Sequence, residues 1–161
     1  MAKRAYHLTH AEPSSMNPDS KELATVIINR MGLSPRKVGS TDQMYRVLIE
    51  LYERMKLSNK EKKPELAVLT VEEMGNVAGI TRQTMYDYIK RWIALDLILK
   101  TTYIYQGKVI IGYKLNGTTL ESAFDKASVK VKNHLDLTLK YVKELQNALK
   151  KEKISDTMKN R

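Results

Sequence analysis

Residues 71–90, VEEMGNVAGITRQTMYDYIK, constrain this chain more than any other stretch. They read as two short helices joined by a tight turn. Thr70 precedes the first helix with Glu73 three residues on, the spacing at which hydroxyl and carboxylate each accept from the other residue's free backbone N–H. Gly79 stands where the chain must turn sharply, and only glycine enters the left-handed region there without steric cost. Thr81 offers an N-cap oxygen to the second helix. Met74, Ala78, Ile80, Met85 and Tyr88 are the apolar positions that lock the two helices together, and Gly75 is small enough to let them cross closely.

In that order these residues resemble the twenty-residue helix-turn-helix of DNA-binding regulators. The family places a small residue fifth, glycine ninth, and apolar residues fourth, eighth, tenth, fifteenth and eighteenth. All seven places match here, from Met74 to Tyr88.

The residues after the second helix extend the resemblance. Residues 97–105 are rich in β-branched and aromatic types, Gln106-Gly107-Lys108 reads as a turn, and Val109, Ile111, Tyr113 and Leu115 alternate on the way back. A helix-turn-helix running into such a hairpin resembles the winged-helix regulators of bacteria and archaea, including the multiple-antibiotic-resistance type. Their recognition helix ends in a Leu-Gly-Leu-Ile-like step and their wing in a Tyr-x-Leu-Thr-x-x-Gly-like segment. The corresponding residues here are Leu95-Asp96-Leu97-Ile98 and Tyr113-Lys114-Leu115-Asn116-Gly117, with Asp96 in place of glycine. The resemblance covers about residues 41–120.

Around this centre the chain divides into three expected parts. Residues 1–40 form an arm with one short helix, begun by Asn17-Pro18, patterned by Leu23, Val26, Ile27 and Met31 and stopped by Gly32. Residues before about 17 are polar and expected to lack fixed structure in isolation, and the helix is expected to dock on the main core or a partner chain. Residues 41–117 form the winged-helix domain. In it Thr41 caps a helix with Met44, Val47, Leu48, Leu51, Tyr52 and Met55 on one face, 58–64 is a charged loop, and 66–69 a small strand. Residues 118–161 form one long helix with a fraying basic tail. On it Phe124, Val131, Leu135, Val142, Leu145 and Leu149 fall largely on a seven-residue repeat, and Leu137, Leu139 and Tyr141 widen the apolar face. So long a face cannot be buried on so small a domain, so this helix is expected to make a homodimer. The expected class is mostly α with a small β-hairpin: a winged helix-turn-helix with an N-terminal helix and a long C-terminal dimerisation helix.

The resemblance implies that the recognition helix, 81–95, enters the major groove and that the wing, 97–115, meets backbone or minor groove. Base edges in the major groove present a distinct donor and acceptor pattern. Arg82 suits guanine O6 and N7, Gln83 suits adenine N6 and N7, and Thr81 and Tyr86 suit phosphate or a thymine methyl. Lys90 and Arg91 are expected on phosphate, where they set register without reading sequence. At the wing tip Gln106 and Lys108 reach backbone or minor groove. Arg36 and Lys37, in the basic stretch Ser34-Pro35-Arg36-Lys37, lie on phosphate or in a minor groove if the stretch works as an arm, or in solvent if it is only a linker.

Charge fits a polyanionic partner. Among 161 residues, 28 are Lys or Arg and 18 are Asp or Glu, a net charge of +10. Cysteine is absent, which excludes disulfides and thiolate-bound metal. His7 and His10 stand three apart with no partner cluster, so neither metal nor cofactor is expected. No apolar run has the length of a membrane span, the basic N-terminus has no apolar stretch behind it, and a cytoplasmic, nucleoid-associated protein is expected. No glycine-rich phosphate loop or nucleophile elbow points to an enzyme. The expected function is therefore sequence-specific double-stranded DNA binding as a homodimer, foremost as a transcription regulator, with no effector specified. Alternatives are an architectural, plasmid-partition or replication-initiation DNA-binding protein, and a winged helix used for protein contacts in a transcription or replication complex.

Overall fold

The computed structural model describes residues 7–33 and 43–160. Its elements are α1 (Ser20–Arg30), α2 (Met44–Glu61), a 3-10 turn (Pro64–Ala67), α3 (Val71–Ala78), α4 (Arg82–Ala94), β1 (Ile98–Tyr105), β2 (Lys108–Leu115) and α5 (Leu120–Lys159). The chain is mostly helical, with one two-stranded antiparallel sheet and a long C-terminal helix. It divides into two compact units, residues 1–127 and 128–161.

The first unit is assembled on α2. Met44, Val47, Leu48, Leu51 and Met55 recur at three- and four-residue steps and are all buried. That face meets α1, the 3-10 turn, α3 and β2. Each such side chain contributes roughly 1.5–3 kcal/mol on leaving water. Met74 and Ala78 from α3, Met85, Ile89 and Trp92 from α4, and Leu95, Leu97 and Ile98 beyond it complete the core.

Several boundaries differ from expectation. The first helix begins at Ser20 and not at Pro18, because the Asp19 carboxylate accepts from the Glu22 N–H and makes Asp19 the N-cap. Its buried residues are Ala24 and Ile28, while Leu23 is exposed, so the docking face is rotated from the predicted one. This face packs on α2 within the same chain. Part of the segment ahead of α1 is tied down: the Thr9 hydroxyl donates to the Asn29 carbonyl at 2.7 Å, and the Ser14 and Ser15 N–H groups donate to the Glu22 carboxylate at 2.8 and 3.0 Å. Thr41 lies outside the described residues.

The expected loop over 58–64 is helical through Glu61, because Asn, Lys and Glu there can extend α2 with their charges in water. Lys62 ends the helix in the left-handed conformation, φ 56°, and the Ser58 hydroxyl donates to the Lys63 carbonyl. Residues 66–69 do not make a strand. Pro64 opens a 3-10 turn instead, and Leu69 alone pairs with Tyr113, exchanging N–H to carbonyl bonds of 2.9 and 2.8 Å. That bridge needs Gly112, where a Cβ would stand 2.8 Å from the Leu69 carbonyl oxygen.

Candidate nucleic-acid interface

The pair α3–α4 is built as its caps dictate. The Thr70 hydroxyl accepts from the Glu73 N–H, and the Glu73 carboxylate accepts from the Thr70 N–H, each at 3.2 Å. Gly79 takes φ 72° at the turn. The Thr81 hydroxyl accepts from the Thr84 N–H at 3.3 Å to begin α4. A Cβ on Gly75 would lie 2.9 Å from the Ile80 carbonyl oxygen, so the close crossing depends on glycine.

With Met85, Tyr88, Ile89 and Trp92 buried, α4 turns the opposite side outward. Thr81, Arg82, Gln83 and Lys90 are exposed and Tyr86 half-buried. These residues share the start and one flank of the helix, as their spacing predicts. Arg82 is not idle: its guanidinium lies 3.1 Å from the Glu72 carboxylate, donates to the Tyr86 hydroxyl at 3.2 Å and stacks 5.6 Å from that ring. These partners, Tyr86 first, raise the Arg82 pKa still further above its ordinary value. The guanidinium is therefore held along the outer face of α4, with its approach set by two neighbours.

Arg91 differs from its neighbours. It is half-buried, donates to the Gly32 carbonyl at 3.5 Å and lies over the Tyr88 ring. In this arrangement it ties the end of α1 to α4, a structural use that competes with phosphate contact.

The hairpin comes next without a long loop. Asp96, φ 59°, makes the left-handed step after α4, which aspartate tolerates better than most residues. The Asn116 side chain donates to its carbonyl at 2.8 Å. Strands β1 and β2 pair from Ile98 with Leu115 to Tyr105 with Lys108, leaving Gln106 and Gly107, φ 50° and 76°, as the two-residue turn. Lys108 is thus the first residue of β2 and not part of the turn. Gln106 and Lys108 are both exposed at the tip, and the Gln106 amide donates to the Tyr105 hydroxyl. At the base Tyr113 is buried, which raises its pKa, and the nearby Tyr86 adds to the rise. Glu72 belongs to this surface, although its type alone gave no reason to single it out. Arg36 and Lys37 lie outside the described residues.

Among the described residues, no group of three or more His, Asp or Glu is placed to hold a metal ion, and no helix is long and apolar enough to cross a membrane.

No family model matches the chain, and no solved structure shows significant similarity to it. Over 106 residues the chain is 28% identical to cytoplasmic polyadenylation element-binding protein 3 of Caenorhabditis briggsae. The matched stretch is 66% of this chain and 12% of that protein, so the chain spans only a small part of its relative's length.

Proposed function

We propose that this chain is a winged helix-turn-helix protein that binds double-stranded DNA as a homodimer and reads its sequence, foremost as a transcription regulator. The observation that carries the reading is the outer face of α4. A doubly capped helix pair presents Thr81, Arg82, Gln83 and Lys90 together, free of the core, with a lysine-tipped hairpin on the same unit. A helix of this kind lays donors along base edges, while the lysines neutralise phosphate. The net charge of +10 supports the same partner. Dimerisation rests on α5, where Leu135, Val142, Leu145 and Leu149 are exposed. Val131 and Phe124 are half-buried.

The test is a pair of substitutions read by fluorescence anisotropy on the chain's own promoter region and on random duplex. Arg82→Ala is expected to cost about 1–3 kcal/mol on the preferred sequence and little on random DNA. Lys108→Ala is expected to weaken both alike and to flatten the salt dependence by about one ion. Equal losses on both duplexes for Arg82→Ala would remove direct readout and leave the architectural alternative. Stronger binding to RNA than to duplex DNA would favour a different reading, for which the similarity to a polyadenylation element-binding protein is the supporting observation.

A further inference from the structure

We infer that α5 pairs with α5 of a second copy in antiparallel orientation, with the two-fold axis passing beside Lys140. This rests on the proposed homodimer and specifies its geometry. Along α5 the repeat gives two alternating sets of seam positions: Leu135, Val142 and Leu149 in one, Val131, Thr138 and Leu145 in the other. Leu135, Val142, Leu145 and Leu149 are between 54% and 58% exposed. The chain's other amphipathic candidate, α1, already packs on α2 and is not available to cover them.

Both orientations can stack these six residues, so the flanks decide. Turned antiparallel about residue 140, each member of one set meets a member of the other: Val131 with Leu149, Leu135 with Leu145, Thr138 with Val142. Leu139 and Tyr141, 57% and 58% exposed, then face their own copies across the axis. In a parallel pair Leu139 would face His134 and Tyr141 would face Gln146, leaving both apolar groups against polar ones.

Charge points the same way. From residue 120 to 139, α5 carries three acidic residues (Glu121, Asp125, Asp136) and three lysines (Lys126, Lys130, Lys132). From 140 to 159 six lysines outnumber Glu144, Glu152 and Asp156, a net of +3. A parallel pair sets +3 against +3 and places Glu152 and Asp156 on their own copies at the seam. The antiparallel pair sets +3 against a neutral half and brings Lys153 toward Asp125 of the second copy. Like charges held opposite each other cost stability, and opposite ones recover some.

The chain's lack of cysteine makes the test direct. Val131→Cys and Leu149→Cys chains are prepared singly and co-expressed, oxidised, and run on a non-reducing denaturing gel. In the antiparallel pair the two copies of either residue are about 27 Å apart along the axis, at 1.5 Å per residue. Neither single variant should cross-link, and the co-expressed pair should. Leu135→Cys with Leu145→Cys should repeat the pattern, and covers the case in which one substitution disturbs folding. Self-linking of Leu149→Cys would show a parallel pair and overturn the inference while keeping the homodimer. A dimer by light scattering in which no combination links would place the interface elsewhere and also overturn it. A monomer by light scattering would remove the homodimer itself.

Discussion

Arg82 shows how one residue can be poised and restrained together. Its guanidinium is shared between Glu72 and Tyr86, and both members of the Glu72 pair are more than half exposed. Such a pair contributes little to folding, yet under the proposed function a DNA base edge must compete with it. Glu72→Gln should therefore leave the melting temperature nearly unchanged and raise duplex affinity roughly two- to five-fold at low salt, less as salt rises. Unchanged or weaker binding by anisotropy would show that Glu72 helps to aim Arg82. Glu22 offers a second residue-scale test. Hydrogen bonds from Ser15, then Ser14, hold its pKa below the ordinary 4.5. With a depressed folded pKa, its contribution is present above the unfolded value and is lost as pH falls through the folded one. Amide exchange at Ser14 and Ser15 should accelerate below about pH 4.5, and in Glu22→Gln this acid step should disappear; an identical step in the variant would assign it to another carboxylate.

At the scale of elements, what the sequence made legible is what local chemistry decides alone. Thr70, Glu73, Gly79 and Thr81 determine the α3–α4 pair within a dozen residues, and each makes the cap or turn its type predicts. Gly75 obeys the same logic, with a backbone carbonyl where its side chain would be. Gly75→Ala should destabilise the first unit by about 1–3 kcal/mol, read by denaturant melts; Asn76→Ala, on the exposed side of α3, should be nearly neutral. Equal effects would mean the helices separate at little cost. Less was legible where a tertiary partner chose the outcome. Pairing with Tyr113 engages Leu69 alone, so 66–69 does not become a strand, and Gly112 gains its importance only through that bridge. Alternation in 109–115 did not say how far the hairpin outruns the core: Tyr113 and Leu115 are buried, Val109 and Ile111 exposed. Asp96 stands in a left-handed step where the resembled family has glycine, and the chain keeps the step regardless.

For the whole molecule, the central proposal is that a basic chain reads DNA sequence through α4 and pairs with a second copy through α5. Nothing in local patterning could give the operator, because base preference depends on how several side chains meet one groove together. The most direct measurement is a salt-dependent titration of the intact protein on random duplex and on its own promoter region. The account predicts a steep decline of affinity with salt on both, and at least ~10³-fold preference for a bounded promoter site. It also predicts protection of two half-sites about 34–36 Å, or a multiple of that, apart. A steep slope with no preference would contradict sequence reading and favour a DNA-coating role. No binding to either duplex would contradict the account at its root.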